Sequence, residues 1–263
     1  NINKKTKFIH SKAFENCRRL TNIIIPNNIT SIGYGTFAGC SGLNNVIIPN
    51  TITSIEASVF RSCVGLTDIT LPNSIVTIGD SAFYGCYNLS NIDIPNSVKD
   101  IDDEAFYGCK ALKSVVIPNS VKSIGDYVFT DCSGLTSVTL PDSITNISGY
   151  MFYRCSNLTN IIIPSSVTMI KEAAFSHCTG LTNIIIPDSV TWIDKYVFSG
   201  CTGLTSIVIP DSVKHMDRQV FSDCSNLIIY CEASKIPENW DSEWNSSNCR
   251  VYWGYTEKTN KHF

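Results

Sequence analysis

Cysteine has the most reactive side chains in this sequence, and its spacing is regular. Ten of the twelve cysteines recur at intervals of 23 residues, at Cys17, Cys40, Cys63, Cys86, Cys109, Cys132, Cys155, Cys178, Cys201 and Cys224. Zinc sites need closely spaced pairs such as C-x-x-C, and the sequence has none. A continuous row of disulfides between equivalent positions would distort the chain. We therefore expect these ten cysteines to be free thiols in the core, where unpaired cysteine is usually found.

Cys231 and Cys249 break this period and lie near the C-terminus. A disulfide between them is one alternative and two free thiols are the other. The sequence leaves both open, because the distance between the two Cα atoms decides whether a bridge can form.

The histidines give no sign of catalysis. His177 precedes Cys178, but that cysteine belongs to the periodic set and we expect its histidine to face solvent. A nucleophilic thiol must be exposed and activated by its surroundings. The four histidines are scattered and have no recurring partner: His10, His177, His215 and His262. We expect a protein that is not an enzyme and uses no cofactor.

An acidic run surrounds Ile101 and consists of Asp100, Asp102, Asp103 and Glu104. A dedicated calcium site uses an oxygen-rich loop with a glycine at its turn, and this run has no such loop. We interpret these carboxylates as solvated surface charge and predict no metal site.

Overall charge and hydrophobicity exclude other partner classes. The net charge is −3 and the isoelectric point is near 5.8, so no basic surface is available for nucleic acid or anionic lipid. The sequence has no run of 18 apolar residues, and we expect no membrane insertion within this segment.

The cysteine period is shared by leucine, proline and phenylalanine, which defines a 23-residue repeat. In Leu181 to Ile186, Ile184 and Ile186 alternate with Asn183 and Ile185, which is typical of a strand. Pro187 then ends the strand because it cannot donate to a ladder. Fixed periods of this length indicate a solenoid, in which each coil buries its apolar side chains against the next.

The fold predicted from this repeat is an α/β solenoid with a one-sided parallel β-sheet. The spacing of Val197, Phe198 and Cys201 fits a short helical or 3₁₀ segment opposite the sheet. We predict a partial first coil over 1–19 and nine repeats over 20–226, so that the solenoid spans 1–226. A non-repeat C-terminal cap follows over 227–255 and a tail over 256–263. Because residue 1 lies inside a coil, we also expect more protein upstream.

The cap contains a cluster of aromatic residues: Tyr230, Trp240, Trp244, Tyr252, Trp253 and Tyr255. Sugar-binding proteins use such rings. The last coil of a solenoid also needs large side chains to cover it, and the cluster begins where the repeat ends. We favour the covering role.

The repeat resembles the BspA-like class of leucine-rich repeats, whose consensus is I-P-x-S-V-x-x-I-x-x-x-A-F-x-x-C. The resemblance extends over residues 1 to about 230 and recurs in every coil. It implies a right-handed, curved solenoid in a cell-surface or secreted protein. Adhesion or partner binding is the common theme of that family, and nothing in it implies catalysis.

Residues that point outward from the strands are the candidates for partner binding. The longest uninterrupted aliphatic run is Ile162, Ile185 and Val208, and Asn160, Asn183 and Ser206 border it. An apolar strip with a hydrogen-bonding rim is how a modest protein-binding site is built. We therefore predict that a protein partner, a host or cell-surface component, binds these six residues on the concave sheet face.

Two alternatives remain open at this point. Strand propensity alone can select aliphatic residues, and the array would then be a passive structural spacer for another domain of a larger surface protein. A second candidate contact surface is a tyrosine flank formed by Tyr84, Tyr107 and Tyr153 in one column and Tyr127, Tyr150 and Tyr196 in another.

Overall fold

A computed structural model describes residue 3 and residues 5–256 of the chain. These residues form a parallel β-solenoid of about 11 turns, which confirms the predicted architecture in its main features. Most of the expected tail over 256–263, including His262, lies outside the described residues.

One ladder of strands is built from the apolar segment that precedes each proline. Alternation of inward and outward side chains, together with β-branched residues, favours extended backbone here. Neighbouring strands pair in parallel at an offset of 23 residues in the repeats, as in Ser114↔Ser137 and Val115↔Val138. This long-strand ladder consists of β2 (Asn22–Ile24), β4 (Asn45–Ile47), β6 (Asp68–Thr70), β8 (Asn91–Asp93), β10 (Ser114–Val116), β12 (Ser137–Thr139), β14 (Asn160–Ile161), β17 (Ser206–Ile209), β19 (Ile228–Cys231) and β20 (Arg250–Trp253). It is divided into three sheets, which break between β8 and β10 and between β14 and β17. The strand predicted over Leu181 to Ile186 was wrong: this coil contributes only the bridge between Ile162 and Ile185.

A second parallel ladder follows the proline turn of each coil, so the prediction of a one-sided sheet was wrong. Its strands are only two residues long, and the second residue is the inward one, such as Ile55 paired with Ile78. This short-strand ladder consists of β1 (Phe8–Ile9), β3 (Ser31–Ile32), β5 (Ser54–Ile55), β7 (Thr77–Ile78), β9 (Asp100–Ile101), β11 (Ser123–Ile124), β13 (Asn146–Ile147), β15 (Met169–Ile170), β16 (Trp192–Ile193) and β18 (His215–Met216).

The predicted helical segments are also absent: in the described part of the chain the third side of each coil consists of turns. In the coil around Phe106, the N–H groups of Glu104, Phe106 and Gly108 donate to carbonyls of the next coil. The intervening Tyr107 and Cys109 donate to carbonyls three residues back. A helix would require every N–H to bond within its own segment, so pairing between coils excludes it. No helix in residues 5–256 is long and apolar enough to cross a membrane.

This alternation requires two left-handed residues in every coil, four positions apart. Tyr196 has φ 62° and Gly200 has φ 70°. Glycine adopts such angles freely, whereas other residues pay about 1 kcal/mol. The positions are occupied by residues such as Ser, Asp, Tyr and Gly and never by Val, Ile or Thr, because β-branched residues tolerate positive φ least.

The core between the three sides is one continuous hydrophobic stack. Each phenylalanine packs in parallel against its copy in the next coil, with centroids 5.4 Å apart for Phe83 and Phe106 and 5.5 Å for Phe106 and Phe129. The strand positions equivalent to Ile184 are buried from Val46 to Ile207, and Ile23, in the first coil of the ladder, is partly buried.

The C-terminal residues continue the solenoid with altered side chains. Strand β20 pairs with β19 in parallel. Trp244 packs edge-on against Phe221 at 6.0 Å, in place of a further phenylalanine. The Trp240 indole N–H donates to the carbonyl of Val213 at 3.2 Å. Both tryptophans are buried, which places them as a cover over the last regular coil.

The phenylalanine stack yields the first testable prediction. Phe106→Ala removes a fully buried ring that contacts rings in both neighbouring coils, and it should lower the free energy of unfolding by about 3–5 kcal/mol. Urea denaturation measures the loss, and hydrogen exchange should accelerate in the coils around Phe83 and Phe129.

Val116→Ala is the matched control, because Val116 lies on the outer face with 64 % of its side chain exposed. It should change the unfolding free energy by less than about 0.5 kcal/mol. A loss below about 1 kcal/mol in Phe106→Ala would show that the ring is not packed as described.

Candidate functional site

Three exposed aliphatic side chains lie side by side on the outer face of the long-strand ladder. Ile162, Ile185 and Val208 are 78, 74 and 37 % exposed, and Ile162 pairs with Ile185 in a parallel bridge. Strand alternation turns the residue before each of them, such as Ile184, into the core. We call Ile162, Ile185 and Val208 the apolar strip.

A row of neutral polar residues borders the strip on one side. Asn160, Asn183 and Ser206 precede the strip residues by two positions, and all three are exposed on the same face. The structure therefore brings the six residues predicted from the sequence together on three consecutive coils. Amide and hydroxyl groups there can donate and accept hydrogen bonds.

Acidic residues border the strip on the side of the proline turns. Asp188 and Glu232 line a shallow depression together with Ile185 and Val208. The Glu232 carboxylate also accepts a hydrogen bond of 3.1 Å from the backbone N–H of Asp211. The strip is therefore flanked by negative charge on one side and neutral polar groups on the other, which favours one orientation of a bound partner.

The same outward column is interrupted in the middle of the solenoid by Thr70, Asp93 and Thr139. Ile24 and Ile47, in the first coils, are 69 and 50 % exposed and pair with each other in β2 and β4. They form a shorter aliphatic pair far from the strip.

The tyrosine flank is held together by contacts among its own side chains. Tyr84 stacks on Tyr107 with centroids 4.6 Å apart, and the Arg61 guanidinium lies 4.2 Å from the Tyr84 ring centroid. Tyr150 donates a hydrogen bond of 2.7 Å to Glu172, which is the main reason why its pKa is raised. These rings cover one another, and most are only partly exposed. The tyrosine rings therefore cover the turns on the third side of the coils.

The ladder cysteines have a structural role that their spacing alone did not reveal. Nine of them, from Cys40 to Cys224, donate their thiol to the carbonyl of a phenylalanine in the preceding coil. For Cys132 and Phe106 the sulfur–oxygen distance is 3.2 Å. All are free thiols, as predicted, and these nine are buried; the expectation of burial was wrong only for Cys17, which is exposed in the first coil.

Cys231 and Cys249 are also free thiols, so the disulfide considered as one alternative is not formed in the structure. The Cys249 thiol donates instead to the carbonyl of Cys224 at 3.2 Å. It therefore bonds to the preceding coil as the ladder cysteines do, but its acceptor is a cysteine carbonyl. Cys231 lies in β19, where burial raises the pKa of its thiol to about 12.

The other reactive residues of the sequence do not assemble into a site. His177 is exposed, whereas Cys178 is buried and donates to the carbonyl of Phe152. Burial raises the pKa of the Asp102 carboxyl, and its neighbours Asp100 and Asp103 add to the effect. In the described part of the chain, no group of three or more His, Cys, Asp or Glu side chains could hold a metal ion.

Sequence reasoning missed one group of outward residues on the short-strand ladder. Met169, Trp192 and His215 occupy equivalent positions in three consecutive coils, and Trp192 is 36 % exposed. The repeats show this change when they are superposed: the first coil carries Phe8 at this position, and the six coils that follow carry Ser, Thr, Asp or Asn. A two-residue strand is too short to show the alternation that would mark these residues as outward.

The family model for the BspA-type leucine-rich repeat region matches residues 6–116 and 99–228. The chain belongs to the BspA-type leucine-rich repeat family. A comparison with curated proteins found no significant match.

Solved structures of other leucine-rich repeat proteins resemble this BspA-type chain. A leucine-rich repeat protein of T. pallidum is 29 % identical, with a TM-score of 0.56 over 70 % of this chain and 77 % of that one. A leucine-rich cell-surface protein of Faecalibacterium prausnitzii is 25 % identical, with a TM-score of 0.51 over 97 and 78 % of the two chains. A leucine-rich repeat protein of Eubacterium ventriosum, 24 % identical, shares the fold with a TM-score of 0.65 over 83 and 60 %.

The burial of the BspA-type cysteine ladder predicts a simple pattern of thiol reactivity. In the folded chain at pH 8, a disulfide reagent such as DTNB should react rapidly with Cys17 alone, because the other eleven cysteines are buried. Full reactivity should appear after denaturation. Cys17→Ser is the control and should abolish the rapid phase; a rapid phase from further thiols would contradict the ladder.

The burial of the cysteines also predicts that the free energy of unfolding falls at alkaline pH. Burial raises the pKa of Cys40 to about 11 and that of Cys86 to about 12, whereas an unfolded cysteine has a pKa of about 8.5. The unfolded chain therefore loses its thiol protons first. The contribution of each thiol to stability is complete below the unfolded pKa, declines as the pH rises above that value, and is fully lost once the pH passes the folded pKa. Each buried thiol contributes up to about 1.4 kcal/mol per pH unit.

Urea denaturation at pH 7 and pH 9.5 measures this effect, and the free energy of unfolding should be clearly lower at the higher pH. Equal stability at both values would show that the thiols ionise as readily in the folded chain as in the unfolded one.

Proposed function

We propose that this chain is a non-enzymatic protein-interaction module of a cell-surface or secreted protein and that it binds a protein partner through the apolar strip. The observation that carries the proposal is the exposure of Ile162 and Ile185, at 78 and 74 %, next to each other on a sheet face. Contiguous apolar surface of this kind marks interaction sites in proteins.

The surroundings of the strip support protein binding over other ligands. No aromatic side chain or arginine lies in the two outward columns of the repeats. Beyond Val208 the same column continues with Tyr230 and Tyr252, and tyrosine is a frequent contact residue in protein interfaces. The depression beside Ile185 is lined by strand residues together with Asp188, Glu232 and Tyr255. A flat apolar patch with a polar border is the form of a protein contact.

Backbone pairing with the partner is not the mode of recognition that this face favours. Around the strip, β14 pairs with β12, Ile162 forms a bridge with Ile185, and β17 pairs with β19. Contact is therefore made by side chains, with Ile162 and Ile185 as the central anchors. Hydrogen bonds from Asn160, Asn183 and Ser206 would set the register of the partner.

A similar cell-surface protein supports the proposed location. The similar protein of F. prausnitzii is described as a cell-surface protein, and the same address fits this chain. A protein at the cell surface can reach protein components of a host or of a neighbouring cell, and we expect the partner to be one of these.

A passive spacer is the second candidate function, and the exposed pair Ile24 and Ile47 favours it. These residues occupy the same column far from the strip. Strand propensity alone would place isoleucine at both ends of the solenoid without any partner.

The double variant Ile162→Lys with Ile185→Glu tests the proposal. It introduces opposite charges at paired positions, so the strands remain compatible while the apolar surface is lost. Binding to a panel of purified extracellular-matrix and plasma proteins, and adhesion of coated beads to epithelial cells, should weaken at least about tenfold, because loss of such anchors costs 2 kcal/mol or more.

Ile24→Lys with Ile47→Glu is the matched control, since it makes the same change in the same column at the other end. Circular dichroism should show both variants folded. Binding that survives the first variant, or falls equally in both, would reject the strip as the contact site and favour the spacer.

A further inference from the structure

The outward column of the short-strand ladder changes character within the three coils that carry the apolar strip. From the second coil onward its residues are small or polar: Ser31, Ser54, Thr77, Asp100, Ser123 and Asn146. The next three are Met169, Trp192 and His215. Core positions must repeat, but nothing in the stacking of coils requires three bulky side chains in succession on the surface.

Trp192 is held in a fixed orientation by its neighbours. Its ring stacks on the His215 imidazole, with centroids 4.7 Å apart and planes 21° from parallel. Its indole N–H donates to Asp217 Oδ2 at 3.3 Å. An exposed tryptophan that is already oriented loses little conformational entropy on binding, which makes it an effective contact residue.

A second carboxylate, Asp194, lies next to Asp217 and follows Trp192 by two positions. Burial raises the pKa of Asp194, and its neighbour Asp217 raises it further. Among the described residues, neither carboxylate forms an ion pair. The nearby Lys195 is 3.2 Å from Glu172 instead. A cation beside Asp194 and Asp217 would relieve their mutual repulsion.

We propose that Met169, Trp192, Asp194, His215 and Asp217, the Trp192 patch, form a second contact surface that binds an arginine-bearing segment of a partner protein. The aliphatic part of the arginine packs on the exposed indole and on Met169, while the guanidinium donates to the two carboxylates. Arginine suits this site better than lysine because its planar group can bond two carboxylate oxygens at once and packs on aromatic rings.

The Trp192 patch is distinct from the apolar strip. It lies on the other ladder of the same coils, beyond the proline turn that contains Pro187 and Asp188. It also selects a different chemistry, a cation in place of an aliphatic surface. The two sites can therefore be tested separately.

The test uses a capped Ser-Arg-Ser-Arg-Ser-Arg peptide as the probe, with matched lysine and glutamate peptides, in about 0.15 M salt, which screens exposed charges over roughly 8 Å. The indole N–H resonance of Trp192 in the ¹⁵N-labelled chain is the readout, assigned by its loss in Trp192→Phe. We expect a saturable shift with the arginine peptide, binding at least about fivefold weaker with lysine, and no shift with glutamate.

Variants assign the interaction to named groups. Asp194→Asn and Asp217→Asn should each weaken binding about tenfold, which corresponds to one charge-assisted contact. Asp68→Asn, an exposed carboxylate on the other ladder, is the matched control and should change nothing. The Ile162→Lys and Ile185→Glu variant should bind the peptide unchanged.

Three outcomes would overturn the inference: an unmoved Trp192 resonance at saturating peptide, equal affinity for arginine and lysine, or an equal loss in Asp68→Asn. Loss of peptide binding in the apolar-strip variant would also overturn it, because the two surfaces would then be one.

Discussion

The hydrogen bonds between consecutive coils are the interaction on which the rest of this structure depends. They fix an offset of 23 residues in the repeats, as in Val115↔Val138 and Ile55↔Ile78, so each inward side chain packs mainly against its own copy. Phenylalanine then stacks on phenylalanine throughout the core. An insertion in one coil would break every contact on both sides of it at once, which explains why the period is strict.

The same requirement explains the turns and the cysteines. Alternate N–H groups on the third side of each coil leave their own segment to pair with the next coil, and left-handed residues such as Tyr127, with φ 60°, make this possible. The Phe106 carbonyl accepts from the N–H of Cys109 and from the thiol of Cys132. A carbonyl oxygen has two acceptor sites. The second site lies in the hydrophobic core, so its donor must be small and largely apolar. Cysteine meets both conditions, whereas alanine has no donor and serine brings a more polar group into the core.

The features that depend on inward positions could be predicted from the sequence, and those that depend on backbone pairing could not. The burial of Ile184 before Pro187 follows the alternation seen in the sequence, because alternation over several residues is a strong signal. The strand predicted there was wrong, since only Ile185 forms a bridge in that segment. A two-residue strand such as Trp192–Ile193 is too short to show any alternation. The spacing of Val197, Phe198 and Cys201 fits a helix equally well, and only the left-handed Tyr196 and Gly200 exclude it. Missing the short strand meant missing Trp192 as a surface residue.

Strict repetition in the core also limits where specificity can evolve in such a chain. Any change at an inward position disturbs two neighbouring coils, whereas an outward position has no copy to match. The apolar strip and the Trp192 patch use this freedom in the same three coils, on the two ladders that meet at the Pro187 turn. Proline restricts the backbone at this turn, which limits the relative movement of the two surfaces. A partner that engages both would gain from their linkage, and a solenoid built for rigidity would in this way also supply the geometry for recognition.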